Sequence, residues 1–229
     1  MGTVAVLLAL AAPASGHSAA AVVEEVRMAT SSAGTRDGSV GISPPPCHDS
    51  AYRLLGGRQT TTYKWWFKAS STPSSLSHSS VAAVLQKSFT NVTGENNDCG
   101  RPDTVSATHQ YLGTTTSSPN CNAKDGINVV GLARIPFGVL AVTCYWINNG
   151  KIVEADMKIN SRESWALSLA GCRGNMPMLE ATITHEAGHV FGLYHVGEKR
   201  HGRLTMSPYI DGPCENAEAT LGLGDMLGL

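Results

Sequence analysis

Hydrophobic positions change their period several times along the chain, and each change marks an element. Residues 61–68 (TTYKWWFK) are aromatic and rich in β-formers, which predicts a strand. Residues 77–92 carry Val81, Ala82, Val84, Leu85 and Phe89 at helical spacing, with a serine placed to cap the helix. Residues 105–112 alternate and read as a strand, as do residues 127–132. Two further strands, 138–147 and 152–159, flank Asn148-Asn149-Gly150, a two-residue hairpin signal. Residues 178–193 predict a long helix and residues 221–229 the start of a last one. Strand, helix, several strands and helix in that order make an α+β layered domain.

The N-terminal part reads differently. Residues 4–12 (VAVLLALAA) form a short apolar run followed by small residues. The run is too short to span a bilayer and fits the apolar core of a signal peptide covering residues 1–16. Residues 17–46 read as a linker or short pro-segment. They are rich in Ala, Ser and Gly, end in Pro44-Pro45-Pro46, and hold one stretch, 19–28, that fits a brief helix. The folded domain is then expected over residues 47–229.

Charge and cysteine content narrow the setting. Lys and Arg number 17 against 18 Asp and Glu, a formal net charge of -1. That balance excludes a polybasic nucleic-acid binder. No other segment is long and apolar enough for stable membrane association. The 6 cysteines are an even set, which points to disulfides and an extracellular location. Of the fifteen pairings open to Cys47, Cys99, Cys121, Cys144, Cys172 and Cys214, Cys172–Cys214 is the one favoured.

The chemistry concentrates between residues 185 and 206. His185-Glu186-Ala187-Gly188-His189 is an HExxH pattern on the predicted helix 178–193. Residues four apart share a helical face, so both imidazoles can reach one metal ion. Glu186 stands about 100° further round, beside that ion. Gly192 is placed to stop the helix, and the returning chain can deliver His195. Three neutral imidazoles suit a zinc ion that keeps one position open for water. A surface helix that merely carries histidines, or a structural zinc site closed by Cys214, are the plainer alternatives.

The run HEAGHVFGLYH, followed by Leu204-Thr205-Met206-Ser207-Pro208, resembles the metzincin zinc peptidases, and among them the secreted, bacterial kind of matrixin. The resemblance covers roughly residues 47–229. It implies a zincin-like catalytic domain: a twisted mixed sheet with an active-site helix and a C-terminal helix. It also implies one catalytic Zn²⁺ held by His185, His189 and His195, with Glu186 as general base toward a zinc-activated water. Met206 matches the Met-turn, an apolar floor beneath the metal. The resemblance further implies an edge strand at Gly138, Val139, Leu140 and Ala141 that pairs with an extended peptide. Pro208 and Tyr209 then begin the wall of the pocket beyond the scissile bond. The expected activity is that of a secreted, monomeric endopeptidase on protein or peptide substrates. A zinc-fold adhesion module, or a zinc hydrolase of non-protein amides, are the alternatives.

The pattern departs from the matrixins in two places. Cys99-Gly100-Arg101-Pro102-Asp103 matches part of the matrixin cysteine switch, but it follows the first strand and helix of the expected domain instead of preceding them. Cys99 is therefore expected in a disulfide. Residues 160–165 (NSRESW) resemble the matrixin calcium loop, with Asn160 and Arg162 where carboxylates are expected, so Ca²⁺ is only a possible second ion. Asp156 is a further candidate donor there. Three weaker signals remain. Asn91-Val92-Thr93 is a glycosylation sequon, Trp65 and Trp66 fit core and sheet packing, and His109 and His201 read as lone strand and loop residues.

Overall fold

A computed structural model describes residues 22–28 and 43–229. The expected signal peptide, residues 1–16, and the rest of the expected linker lie outside the described residues. The strands are β1 (Val22–Met28), β2 (Arg53–Leu54), β3 (Tyr63–Phe67), β4 (His109–Thr114), β5 (Val129–Ala133), β6 (Val139–Asn148), β7 (Lys151–Asn160), β8 (Leu193–Tyr194) and β9 (Tyr209–Ile210). The helices are α1 (His78–Thr93), α2 (Leu179–Phe191), the one-turn α3 (Glu198–His201) and α4 (Leu223–Gly228). A 7-stranded mixed sheet runs in the order β4-β3-β5-β7-β6-β1-β9, and β2 pairs with β8 apart from it. Strands β4, β3, β5 and β7 are parallel, and β6 returns antiparallel to β7. The α+β class expected from the sequence is the one observed.

Each well-patterned segment folds for a local reason that the core then completes. Strand β3 buries Tyr63, Trp65 and Phe67 on one face, where Phe89 of α1 meets Tyr63 and Trp65 at ring-centroid distances of 5.4 and 4.9 Å. Helix α1 is capped by Ser77, whose hydroxyl accepts the Ser80 N–H. Asn149 and Gly150 take positive φ values of 50° and 71°, as a tight hairpin between right-twisted strands requires. Every residue of α2 is buried. It lies between the sheet, α1 and the C-terminal segment, and Asn91 of α1 donates to Glu180 and Thr184 across that contact.

Three disulfides join Cys47–Cys99, Cys121–Cys144 and Cys172–Cys214. Cys99 is thus paired, as expected, and so is the favoured couple Cys172–Cys214.

Several expectations need correction. Residues 22–28 are a strand, not a helix. Val22, Val23 and Val26 suit extended backbone, and two neighbouring strands supply the ladder that fixes it. This also makes part of the expected linker a member of the sheet. Strand β6 is therefore no edge, because β1 lies along its outer side. Strand β4 begins at His109 and not at residue 105, since Asp103 and Glu95 accept the backbone N–H groups of Val105 and Thr104. His201 is not a free loop residue: it sits on α3 and bonds the buried Asp49 at 2.9 Å. Asn91 of the sequon is buried and its amide nitrogen is engaged by Glu180 and Thr184, so the sequon is not presented for glycosylation.

Candidate metal centre

Helix α2 carries His185 and His189 one turn apart, and its end is fixed by Gly192. That residue has φ 109°, and a Cβ there would lie 2.7 Å from the Gly57 carbonyl oxygen, so only glycine fits. The chain turns through β8 and brings His195 back to the helix. The Nε2 atoms of His185 and His189 stand 3.1 Å apart, and that of His195 lies 3.0 and 3.1 Å from them. Donors that share one zinc ion at about 2.0–2.1 Å stand roughly 3 Å from one another. Among the described residues, this is the one group of three or more His, Cys, Asp or Glu side chains arranged to hold a metal.

The second ring nitrogens set the tautomers. Nδ1 of His185 donates to the Thr205 carbonyl at 2.7 Å, and Nδ1 of His189 to the Leu193 carbonyl at 2.9 Å. In the neutral rings Nε2 then carries a lone pair and no proton. Lone pairs facing one another at 3.1 Å repel unless a cation lies between them. The rings do stay neutral. Burial, then the neighbouring His189 and His195, holds His185 well below its usual range. Burial and then His195 lower His189 to about 3, while burial and then Arg53 lower His195 to about 4. Uncharged imidazoles converging in this way are what a metal ion needs, and the donor set fits zinc.

Met206 is buried under α2. A Cβ on Gly188 would come within 2.3 Å of its Sδ, so the glycine inside the motif allows this close approach. Glu186 is fully buried, and one carboxylate oxygen accepts the Thr143 hydroxyl at 2.5 Å. Thr143 lies on β6 just beyond Val139, Leu140 and Ala141, so the expected peptide-pairing residues run directly beside the motif. Gly138 falls outside β6, at φ 80°. Pro208 and Tyr209 begin the segment that follows Met206, and Tyr209 pairs with Arg27 of β1.

Two residues that support this centre escaped the sequence reading. Asp225 of α4 accepts the backbone N–H groups of Thr205 at 2.9 Å, Met206 at 3.2 Å and Gly222 at 2.9 Å. It thereby clamps the turn that carries Met206 and the carbonyl that orients His185. Its only sequence signal is a lone carboxylate in an apolar, glycine-rich tail. Thr143 carries no signal at all in a β-rich run.

The calcium loop does not assemble a comparable cluster among the described residues. Asn160 spends its side chain on the Arg162 N–H and the Val139 carbonyl, at 3.0 and 2.7 Å. The Asp156 carboxylate accepts the N–H groups of Asn120 and Val129, each at 2.6 Å. Together with Cys121–Cys144 it pins the loop between β4 and β5. His109 is bonded on both sides, to Trp65 and Thr90.

No protein-family model matches the chain, and a comparison with curated proteins likewise finds no match.

Proposed function

We propose that the chain is a zinc-dependent endopeptidase of the metzincin, matrixin-like type, working outside the cell on protein or peptide substrates. The observation that carries this reading is the convergence of three imidazole Nε2 atoms within 3.1 Å of one another, with a buried carboxylate, Glu186, next to His185 on the same helix. Donor chemistry favours zinc over harder ions, since all three ligands are imidazoles. The bound ion would supply Lewis-acid polarisation of a carbonyl and acidify a water.

The chain's own residues do the rest. Glu186 accepts the proton of the attacking water and returns it to the departing amine. The Thr143 hydroxyl fixes the orientation of that carboxylate. On the turn clamped by Asp225, Met206 forms an apolar floor and the Thr205 carbonyl holds the His185 ring in place. Outside the centre, β6 and β9 already accommodate one extended strand, β1, between them, a backbone geometry that suits an extended peptide better than a compact small molecule. Three disulfides suit a protein made for an oxidising compartment.

The test is metal content together with turnover of casein and a mixed peptide library. Wild-type protein should hold one zinc per chain and lose activity with a chelator. Glu186→Ala should keep the zinc and lose about 10²–10⁴-fold in rate. Normal cleavage by Glu186→Ala, or a purified protein without zinc affinity, ends this reading.

A further inference from the structure

We infer that the cavity between β2, β8 and α3 is a subsite for an acidic side chain, so that the preferred peptides carry a glutamate on the His195 side of the metal centre. The inference rests on the peptidase reading above and adds its substrate class.

The cavity has a volume of about 580 Å³ and lies next to the third imidazole, since Val196 forms part of its wall. Ala51 and Tyr52 add apolar surface, while Arg53, Lys199 and Arg200 bring positive charge to the same wall. The chain as a whole has a formal net charge of -1, so this concentration of cations is local and does not follow from composition. Arg53 is tied to the centre by a chain of contacts. It pairs with Tyr194 across the β2–β8 ladder, and its Cζ stands 4.5 Å from the centroid of the Tyr194 ring. That ring lies 5.8 Å, centroid to centroid, from the His195 ring.

The acids nearest to these cations are engaged elsewhere. The Glu198 carboxylate accepts the Ser207 hydroxyl. The buried Asp49 pairs with His201 at 2.9 Å. These two contacts anchor α3 at its first and last residues and leave Lys199 and Arg200 exposed between them. Among the described residues, no carboxylate forms an ion pair with Arg53, Lys199 or Arg200. An apolar wall beneath a cationic rim suits a side chain of the same two parts. The methylenes of a glutamate can lie on the wall while its carboxylate meets the guanidinium fork. An aliphatic side chain would instead cover the cations and strip their water without replacing it. A small inorganic anion would leave the wall wet.

The experiment uses the full, zinc-loaded chain and pairs of quenched fluorescent peptides that differ only in Glu or Gln at one position, moved stepwise along the peptide. At one position the glutamate peptide should show a kcat/KM about tenfold above its glutamine twin, carried mainly by KM, the effect of one charge-assisted hydrogen bond. High salt should shrink that ratio. Lys199→Gln with Arg200→Gln, and separately Arg53→Met, should bring it toward unity. All three side chains are exposed, and zinc content reports that each variant has folded. Equal rates for every twin pair in the wild type, or a preference unchanged in both variants, overturn the subsite and leave the peptidase reading standing. If no peptide is cleaved, the peptidase reading falls, and anisotropy of the labelled twins decides the cavity. Tighter binding of the glutamate twin by wild type than by the variants keeps it as a site for acidic peptides. Equal binding of the twins, or none, removes it.

Discussion

The Thr143 hydroxyl donates to the Glu186 carboxylate at 2.5 Å, tying strand β6 to helix α2. This bond orients the proposed base without touching the metal ligands. Thr143→Val should lower kcat by about 10-fold, as expected for a hydrogen bond to a charged group, while zinc content and KM stay near wild type. Thr143→Ser should retain most of the rate. Equal rates for the valine and serine variants would show that the hydroxyl does no positioning.

Asp225 is fully buried and receives three backbone N–H groups around Met206, and burial raises its pKa to about 6. Asp225→Ala should strand those donors and cost about 3 kcal/mol or more in unfolding free energy, read by urea denaturation of the metal-free protein. Zinc should also bind more weakly, because the turn that presents the Thr205 carbonyl to His185 loosens. Asp225→Asn should fall between the two. An alanine variant as stable as wild type would contradict the clamp.

The three ligand imidazoles have depressed pKa values, near 3 for His189 and near 4 for His195, with burial the first cause. A base whose folded pKa lies below its unfolded value stabilises the fold above the unfolded pKa. That contribution is lost as pH falls. The metal-free fold should therefore lose stability from about pH 6.5 down to about pH 3 on account of these residues. Protons should compete with zinc only near the bottom of that window. Zinc content measured after equilibration at pH 5 should match that at pH 7.5. Release with a midpoint near pH 6.5, as for exposed imidazoles, would disagree.

Asp156 behaves in the opposite sense. Burial raises its pKa to about 7, against two backbone N–H bonds that lower it. A carboxyl with a raised folded pKa contributes stability below its unfolded pKa of about 4 and loses it as pH rises through 7. The stability advantage of wild type over Asp156→Asn should shrink between pH 4 and pH 7 by at most about 4 kcal/mol, three units at 1.36 kcal/mol each. Urea midpoints at both pH values, taken on zinc-free protein, check this. A gap independent of pH would mean that Asp156 stays charged throughout.

Much of the fold was legible because it is set by neighbours in sequence. The aromatic, β-rich composition of residues 61–68, the serine before α1, the Asn-Gly hairpin and the glycine after HEAGHVF each act within a few residues. The helical spacing of His185 and His189 is a local fact of the same kind. So is the reach of a short return to His195.

What the sequence by itself determined, then, is the α+β element order, the nitrogen ligand set and an even cysteine count. Tertiary structure alone decided the rest. The strand state of residues 22–28 depends on hydrogen-bond partners more than 100 residues away, on β6 and β9, where the local sequence had read as a brief helix. The partners of Glu186 and Met206, Thr143 and Asp225, come from a distant strand and the last helix. The lowered imidazole pKa values arise from burial, which no short pattern encodes. Local spacing can prescribe a candidate ligand set, but the pairing of distant backbones decides which strands flank it.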